Sequence, residues 1–567
     1  MFFRGEQLLE VNGNIISQLS DACEKYAEKK AYTSLGRDLR YRELNELSDY
    51  LAAYLRHHTA LKTGDRVAIQ LPNILQYPIA VFAVLKAGMI IVNTNPEYSE
   101  DELKHQLKDS GAKALIVFSA CAKTFLNIQE QTFVEEVIVT NIADLHPPLK
   151  RSVIHTLARV VGGYHSCLEF PALQKYRKAL TLGKQSLDKY DLKQARSIQN
   201  SIQNSIQNDE VAILQYTGGT TGLSKGSMLA HRNLLANFLQ LKMHLGEGCP
   251  EAGAIVVAPL PLYHVYAFTV NILFSLMMGY HNILIVNPRF ISLFIRDLKS
   301  HKVNIFCGIN PLFKKLCEHP EFTKVDFSEL KICTSGGMPL AKDIAERWNE
   351  VTGCRILEGY GMTETSPLVA CNNYQDYQID SIGKALPFTE LKIIDEHGNA
   401  LAQGSEGELC VRGPQVMLGY WKQVVETVAV LDKEGWLRTG DIASIDANGN
   451  LKIIDRLKDM IIISGFNVYP VEIENVVSAY SGVKDAVVIG VKNAEGVEQV
   501  KLIVVPDNPL LDKTALLNYC RRKLAAYKIP KIVEFRTSLP LSNVGKILKR
   551  KLQTELTESQ KSVDLKR

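Results

Sequence analysis

A glycine-rich segment in the middle of the chain has the residue types that bind a polyphosphate. It runs from Tyr216 to Gly226 and directly follows a short apolar run, Val211 to Leu214, that predicts a strand. Its four glycines let the backbone approach an anion closely, and its three threonines and Lys225 supply donors and positive charge. The spacing differs from that of the G-x-x-x-x-G-K-[ST] nucleotide loop, because Gly226 follows Lys225. The segment predicts a phosphate-binding loop of another kind, with an ordinary glycine turn as the alternative.

Further motifs follow in order along the chain. Together with the glycine-rich segment they resemble the adenylate-forming acyl-CoA synthetases, which include luciferase and the coumarate ligases, over nearly the whole chain. Two of these motifs, Gly465–Pro470 and Leu541–Arg550, resemble the bacterial long-chain fatty-acid ligases in particular. The resemblance implies ATP- and Mg²⁺-dependent formation of a fatty acyl-adenylate, then transfer of the acyl group to coenzyme A with release of AMP and pyrophosphate. The motifs are Pro259–His264, Thr334–Pro339, Glu358–Thr365, Tyr420–Trp421, Trp436–Asp441, Asp455–Asp459, Gly465–Pro470 and Leu541–Arg550.

The resemblance assigns residues to the phosphates and the metal ion. Adenylation joins a carboxylate to the α-phosphate of ATP, and these two anions repel each other until their charge is neutralised. Glu364 is suited to hold Mg²⁺ through oxygen, with Thr217 as a second ligand. Thr220, Thr221 and Lys225 are expected to cradle the departing pyrophosphate. Without its sequence context, Glu364 would be interpreted as a solvated surface carboxylate. Its place in the Glu358–Thr365 motif favours the metal-binding role.

Lys546 is expected to act in the first half-reaction. A point cation can bridge the carboxylate oxygen and the α-phosphate in the transition state, where charge develops. By composition Lys546 is one lysine of a basic tail, and its Asn-Val-Gly-Lys context favours catalysis. No nucleophilic Ser or Cys is expected, since the acyl-adenylate is itself the activated intermediate. The predicted catalytic residues are Lys546, Lys225, Thr363, Glu364 and His264.

The nucleoside is expected to bind between two further motifs. Tyr360 is predicted to stack on the adenine, and Gly337 allows close backbone approach to its other face. Asp441 is placed to accept hydrogen bonds from the ribose hydroxyls, and Arg456 to support that contact. A plain turn carboxylate is the alternative for Asp441. The full predicted set for the nucleotide is Thr217, Gly218, Gly219, Thr220, Thr221, Gly222, Lys225, Gly336, Gly337, Glu358, Gly359, Tyr360, Gly361, Thr363, Asp441, Arg456, Lys458 and Lys546.

The expected acyl pocket begins at the Pro259–His264 motif. From Tyr263 to Tyr280 the chain is strongly apolar and offers no carboxylate to pair with a substrate amine, so an amino acid is a poor candidate and an apolar tail is favoured. The long-chain preference follows from the resemblance alone. For His264 the alternative is a satisfied core histidine. The predicted pocket residues are Tyr263, His264, Val265, Tyr266, Phe268 and Gly336.

The length of the chain and the alternation of strand and helix patterns indicate the architecture. At 567 residues the chain predicts at least two domains, and short β-branched runs alternating with helical patterns favour an α/β fold. We expect a large, multi-subdomain N-terminal adenylation domain, residues 1–457, and a small, mobile α+β C-terminal domain, residues 458–567. The resemblance implies that the C-terminal domain rotates about a hinge at Lys458. That rotation would withdraw Lys546 and bring the Gly465–Pro470 loop to a pantetheine tunnel.

Charge and composition bear on partners and location. The formal charge of +4 predicts no nucleic-acid partner. The residues from 150 to 196 hold ten Lys and Arg against three Asp and Glu. Within a basic segment and SIQN-repeat linker at about 149–208, residues 149–161 are amphipathic, which predicts either a solvated surface helix or peripheral contact with anionic lipid.

The uncharged stretch from Ala252 to Pro288 predicts a buried helix and the strand Ile283–Val286 rather than a membrane span. Eleven cysteines without a CxxC pair and no apolar leader favour the cytoplasm, with peripheral association on the inner face of the cytoplasmic membrane left open.

Three alternative functions fit the sequence less well. A related ligase that transfers the acyl group to a carrier protein tends to carry an insertion, and none is obvious between Gly383 and Asp455. A luciferase-like oxygenase is disfavoured by the resemblance to bacterial ligases. A catalytically silent lipid-binding scaffold is disfavoured because the key residues of the motifs are all present, namely Lys225, Glu364, Asp441 and Lys546.

Overall fold

The structure is a computed structural model, and it describes most of the chain. The described residues are 3–4, 7–8, 13–162, 170, 172–188, 209–216, 224–463, 466–492, 498–508, 511–541, 547–549 and 551–555.

Strands are distributed over the whole described chain. In chain order they are β1 (Phe3–Arg4), β2 (Gln7–Leu8), β3 (Lys30–Ser34), β4 (Arg37–Arg40), β5 (Arg66–Gln70), β6 (Ile90–Asn93), β7 (Ala114–Phe118), β8 (Glu136–Thr140), β9 (Gln174–Lys175), β10 (Val211–Tyr216), β11 (Gly226–Ala230), β12 (Ile255–Ala258), β13 (His281–Leu284), β14 (Ile305–Gly308), β15 (Ile332–Gly336), β16 (Ile356–Gly361), β17 (Leu368–Cys371), β18 (Lys384–Ala385), β19 (Glu390–Ile394), β20 (Gly407–Arg412), β21 (Leu437–Ile445), β22 (Leu451–Arg456), β23 (Ile461–Ile463), β24 (Phe466–Val468), β25 (Val483–Lys492), β26 (Glu498–Pro506) and β27 (Ile532–Phe535).

Helices alternate with these strands in the first two thirds of the chain. The α-helices are α1 (Ile15–Lys25), α2 (Tyr41–His57), α3 (Gln76–Lys86), α4 (Glu100–Ser110), α5 (Ala122–Leu126), α6 (Pro148–Gly162), α7 (Tyr176–Asp188), α8 (His231–Leu245), α9 (Val265–Ala267), α10 (Ser275–Met277), α11 (Ile291–Lys299), α12 (Asn310–Cys317), α13 (Lys342–Thr352), α14 (Val424–Val430), α15 (Pro470–Ser478) and α16 (Lys513–Lys523). A π-helical stretch, Phe268–Phe274, joins α9 to α10.

Local sequence signals explain the ends of helix α4. Ser99 caps its start, because the Ser99 hydroxyl accepts the N–H of Glu102 while the Glu102 carboxylate accepts the N–H of Ser99. Three acidic residues in the first turn interact favourably with the positive end of the helix dipole. The helix ends at Gly111, whose φ of 62° is left-handed.

A seven-stranded sheet forms the first layer of the large domain. Its strand order is β11-β10-β6-β5-β7-β8-β9, and all neighbours are parallel except the edge pair β10 and β11. Every residue of β7 is buried, as expected for a central parallel strand covered on both faces. The chain leaves β10 and returns as β11, so Lys225 stands at the start of this edge strand.

A nine-stranded sheet carries three of the predicted motifs, at the ends of β12, β15 and β16. Its order is β18-β17-β16-β15-β14-β12-β13-β3-β4, with a parallel centre from β16 to β3. Helices α11, α12 and α13 cover one side of it, where the fully buried Trp348 packs against Phe306 and Phe313. The carboxyl ends of parallel strands are where open α/β sheets bind ligands.

The last third of the chain is strand-rich. An antiparallel sheet, β19-β20-β21-β22, precedes the C-terminal part, in which β25, β26 and β27 form a three-stranded sheet. The C-terminal part has a core of its own that includes Ile461, Val488 and Leu516. The predicted α/β class, with a large N-terminal and a small C-terminal domain, is confirmed, and the boundary at residues 457 and 458 stays a prediction.

The uncharged stretch from Ala252 to Pro288 folds within the large domain. Phe268, Leu273 and Leu276 of its helical part are buried. Among the described residues, no helix has the length and apolar character needed to cross a membrane.

Candidate active site

A tyrosine, an aspartate and an arginine from three strands are joined by hydrogen bonds. Tyr360 in β16 donates its phenolic O–H to Oδ2 of Asp441 in β21 over 2.6 Å. Arg456 lies opposite Asp441 in the ladder with β22, and its Nε is 3.0 Å from Oδ1 of Asp441. Asp441 is buried, and burial raises the pKa of the Tyr360 phenol well above its usual value, which keeps it a donor. Both carboxylate oxygens of Asp441 therefore have fixed partners.

The loop ends of β15 and β16 lie side by side. In their parallel register Gly336 pairs with Gly359, and Ser335 with Glu358. Oε1 of Glu358 accepts the N–H of Leu340 over 3.1 Å, which ties the Thr334–Pro339 segment to β16. Burial raises the pKa of Glu358 to about 7.

Two glycines of these motifs stand where a side chain would clash or would strain the backbone. A Cβ on Gly361 would lie 2.0 Å from the carbonyl oxygen of Pro367, so the backbone following Glu364 passes too close for any side chain. Gly337 has a φ of 81° and open space around its Cα. Gly337 therefore leaves room for a planar group beside the backbone.

Glu364 and Lys225 both contact Tyr420. Glu364 lies in the single 3-10 turn Thr363–Thr365, and its buried Oε1 accepts the O–H of Tyr420 over 2.8 Å. The Lys225 ammonium lies 5.1 Å from the centroid of the Tyr420 ring and forms an ion pair with Glu426 of α14. Burial raises the pKa of Glu364, while the Tyr420 hydrogen bond opposes that rise.

The Pro259–His264 loop is held by two buried side chains of the seven-stranded region. Nδ2 of Asn73 donates to the carbonyls of Ala258 and Leu260 over 3.1 and 2.9 Å, and its Oδ1 accepts the N–H of Leu262 over 3.0 Å. The Tyr77 hydroxyl donates to the carbonyl of Leu262 over 3.0 Å. Motif reading missed Asn73, because a single asparagine far away in the sequence gives no signal of this contact.

The predicted pocket residues continue from that loop. The Tyr263 carbonyl accepts from Gln215, and Nδ1 of His264 accepts the N–H of Tyr266 over 3.3 Å. The Tyr266 hydroxyl lies 2.7 Å from Oγ1 of Thr334, and a Cβ on Gly336 would lie 3.6 Å from the Tyr266 ring. Tyr266 therefore spans the space between the pocket helix and β15. The remaining predicted residues, Val265 and Phe268, are buried.

The junction to the C-terminal part is also hydrogen-bonded. Oδ2 of Asp455 accepts the N–H of Val471 in the first turn of α15 over 2.9 Å, and Oδ1 accepts the N–H of Arg456 over 2.7 Å. Lys458 lies in the 3-10 turn Leu457–Asp459 between them, and burial lowers its pKa. The predicted hinge is thus a short turn flanked by two tethered elements.

Several predicted residues lie outside the part of the chain that the structure describes. Within the described ranges, no group of three or more His, Cys, Asp or Glu side chains that could hold a metal ion is present. The residues outside the described ranges are Thr217, Gly218, Gly219, Thr220, Thr221, Gly222 and Lys546.

The arrangement combines the chemical requirements for binding a nucleotide. The buried carboxylate of Asp441 in the antiparallel sheet accepts a hydrogen bond from Tyr360 of the nine-stranded sheet, and Lys225 and the buried Glu364 both contact Tyr420. The two groups are electrically linked, since Arg456 and Asp441 both influence the pKa of Glu364. The site can therefore hold a hydroxyl-bearing group at one end and an anion at the other.

The chain is similar to known proteins over nearly its full length. The family described as AMP-binding enzyme matches residues 19–421, and the family described as AMP-binding enzyme C-terminal domain matches residues 472–546. The long-chain-fatty-acid–CoA ligase of Salmonella typhimurium is 45% identical over 547 residues, which is 96% of this chain and 94% of that protein. The protein of the same name from Escherichia coli O157:H7 is 44% identical with the same coverage. The crystal structure of ATP bound MatB from Rhodopseudomonas palustris superposes with a TM-score of 0.79 and 27% identity, covering 96% of this chain and 99% of that one. These similarities confirm the resemblance carried by the motifs.

Proposed function

Because the chain belongs to the family of AMP-binding enzymes, we propose that it is a long-chain fatty acid–CoA ligase that forms AMP. A fatty carboxylate oxygen attacks the α-phosphorus of ATP, the bond to the β-phosphate breaks, and pyrophosphate leaves. The sulfur of coenzyme A then attacks the acyl carbon, and AMP leaves with the former carboxylate oxygen. The substrate class comes from the ligases to which the chain is similar, and the site supplies the support for the nucleotide.

The observation that carries the proposal is the hydrogen-bonded set Tyr360, Asp441 and Arg456. A buried carboxylate with fixed orientation suits the two hydroxyls of a ribose, because a charged acceptor makes strong hydrogen bonds. Gly337 leaves room for the adenine beside the backbone, with Tyr360 nearby for stacking. In this proposal Asp441 determines how the nucleotide is oriented before any bond is broken.

Lys225 and Glu364 are proposed to help neutralise the negative charge of the ATP phosphates, Lys225 directly and Glu364 by holding Mg²⁺. Glu364 fits Mg²⁺, because this ion usually keeps several waters and takes only one or two carboxylates together with substrate phosphates. When bound, the ion would neutralise charge on the ATP phosphates. Tyr420 fixes the Glu364 carboxylate through its hydrogen bond, and Lys225 lies over the same ring. Thr217 and the other residues of the glycine-rich segment keep their predicted roles.

The pocket residues support an apolar acid. Val265 and Phe268 are buried around the predicted entrance, and the Tyr266 ring would lie 3.6 Å from a Cβ on Gly336. His264 is proposed to fix the entrance through its contact with the Tyr266 N–H. A hydrocarbon chain gains free energy from such a lining, whereas a charged tail would lack a partner.

Lys546 and the C-terminal domain are proposed to separate the two half-reactions. Lys546 would serve the adenylation step, and rotation of residues 458–567 about Lys458 would then admit coenzyme A. The separate core of the C-terminal part supports this boundary. Lys546→Met should abolish acyl-adenylate formation and leave the conversion of supplied acyl-adenylate and coenzyme A largely intact. Lys551→Met, in the same basic tail, is the matched control, and equal loss in both variants would contradict the assignment.

The test of the proposed function is AMP release from ATP with a panel of fatty acids, with and without coenzyme A. A ligase releases AMP continuously only when coenzyme A is present, and the panel reveals the preferred chain length. Turnover that ignores coenzyme A would favour a carrier protein or another acceptor. A complete lack of AMP with every acid would favour a silent lipid-binding scaffold.

We further propose that helix α6 contacts an anionic membrane. Leu149, Val153 and Leu157 are spaced four residues apart and have exposed fractions of 87%, 58% and 57%, so they form an apolar stripe on one helical face. Lys150 donates to the carbonyl of Gly36 over 2.8 Å, which holds the helix on the body of the protein. The local excess of Lys and Arg suits negatively charged lipid.

Vesicle flotation tests this second proposal. The protein should float with vesicles containing phosphatidylglycerol at low salt and much less with neutral vesicles. The variant with serine at positions 149, 153 and 157 should lose most of that binding and keep its ligase activity. Equal flotation of variant and native protein, or self-association through the stripe in place of vesicle binding, would overturn it.

A further inference from the structure

Lys225 already has an anionic partner inside the protein. Its ammonium group forms an ion pair with the carboxylate of Glu426 in α14. The side chains of Lys225 and Glu426 have exposed fractions of 32% and 50%, so dissolved anions can reach the pair. Glu426 is absent from every motif considered above.

Glu426 is held in place by the residue that follows it. Oγ1 of Thr427 accepts the N–H of Tyr420 over 2.9 Å and donates to the carbonyl of Gln423 over 2.8 Å. The segment before α14 is tied to β11, because the Met228 N–H donates to the Gly419 carbonyl over 2.9 Å. Helix α14 therefore keeps Glu426 beside Lys225 at the start of the same edge strand.

The ion pair does little for the stability of the fold. Exposed pairs of this kind typically contribute little to the free energy of unfolding. The outer face of α14 also lacks support from a core, since Val424, Val425 and Val428 are largely exposed. The main physical consequence of Glu426 is therefore the charge that it places next to Lys225.

We propose that Glu426 is a built-in counter-ion that occupies Lys225 when no nucleotide is bound and is displaced by the phosphates of ATP. This inference rests on the proposed function, because it takes Lys225 as the cation that receives the phosphates. The carboxylate competes with the incoming anion, so it lowers the affinity for ATP. It also returns to Lys225 as pyrophosphate leaves, which favours release of that product.

The test compares Glu426→Gln with the native protein by calorimetric titration of Mg²⁺-ATP and of pyrophosphate, without fatty acid. Glutamine keeps the size of the side chain and removes its charge, so both anions should bind about two- to fivefold more tightly, the range that an exposed ion pair allows. The gain should shrink between about 0.05 M and about 0.5 M salt, because salt screens exposed charges. Glu434→Gln, which removes the same charge from an exposed loop, should leave both affinities unchanged.

A double variant isolates the pair. In a Lys225→Gln background, Glu426→Gln should have no further effect on ATP affinity, because the partner of the carboxylate is gone. Weaker or unchanged ATP binding by Glu426→Gln, while the native protein binds ATP and releases AMP, would overturn this inference and leave the proposed function standing. A native protein that neither binds ATP nor releases AMP would overturn both.

Discussion

Tyr360 and Asp441 belong to two different sheets, and the phenol of Tyr360 donates a 2.6 Å hydrogen bond to Oδ2 of Asp441. Arg456 contacts the other carboxylate oxygen over 3.0 Å. One aspartate thus joins the nine-stranded sheet to the antiparallel sheet at the place where the motifs meet. In the proposed reaction, the same carboxylate orients the ribose.

Asp441→Asn should impair the use of ATP. The substitution keeps the shape of the side chain but removes the charge that strengthens its hydrogen bonds, so kcat/KM for ATP should fall about 10- to 100-fold. Steady-state kinetics of AMP release measure this effect. Asp101→Asn, on an exposed helix surface, is the matched control and should retain native kinetics. A native kcat/KM in Asp441→Asn would exclude a ribose contact.

Glu364→Gln should raise the requirement for magnesium. The amide lacks the negative charge that a hard cation prefers, so the Mg²⁺ concentration for half-maximal rate should rise at least about tenfold. A titration of AMP release against Mg²⁺ at saturating ATP measures it. Glu346→Gln, on the exposed side of α13, provides the control. An unchanged Mg²⁺ requirement would remove Glu364 from the metal site.

Gly336 is predicted to contact both the nucleotide and the acid, and Gly336→Ala should affect the use of the acid much more than the use of ATP. The new methyl group would lie 3.4 Å from the Gly359 carbonyl oxygen and 3.6 Å from the Tyr266 ring, so the fold tolerates it while the pocket loses volume. We expect kcat/KM for long-chain acids to fall about tenfold, as misplacement of a substrate is costly, with little change in KM for ATP. Gly248→Ala, with open space around it, is the control. A loss seen equally for ATP and acid would contradict this pocket assignment.

Glu358 should make the free energy of unfolding fall as the pH rises. Burial raises the pKa of Glu358 from 4.5 to about 7. Between these values the folded protein keeps a proton that the unfolded chain has released, so this carboxyl destabilises the fold as the pH rises through about 7. Glu358→Gln resembles the protonated form and should raise Tm at pH 8 by roughly 2 °C or more, with no gain at pH 4.5. Thermal unfolding of both proteins across this range measures the difference, and parallel pH curves would contradict it.

Much of the architecture follows from the sequence, because buried parallel strands are apolar throughout. The predicted strand Val211–Leu214 lies within β10. The strand predicted at Ile283–Val286 is instead His281–Leu284. His281 is buried there, and its Nε2 lies 2.7 Å from Oγ1 of Thr33, a hydrogen-bond partner 248 positions away that no local pattern reveals.

In the active site, too, the residue types could be predicted from the sequence, whereas the contacts between distant residues could not. Motif order identifies Tyr360, Asp441 and Glu364 as candidates, since their residue types stand in recognisable contexts. The contacts that fix them are not readable, because they join distant segments: Tyr420 to Glu364, and Asn73 to the Pro259–His264 loop. Glu426 has the sequence appearance of a solvated helix residue, and only the fold brings it to Lys225.

The most direct test of adenylate formation follows the carboxylate oxygens of the acid. Fatty acid labelled with ¹⁸O in both carboxylate oxygens is turned over with Mg²⁺-ATP and coenzyme A, and the products are analysed by mass spectrometry. Attack of the carboxylate on the α-phosphorus predicts one ¹⁸O atom in each AMP and none in pyrophosphate. Unlabelled AMP, or ¹⁸O in phosphate or pyrophosphate, would contradict adenylate formation.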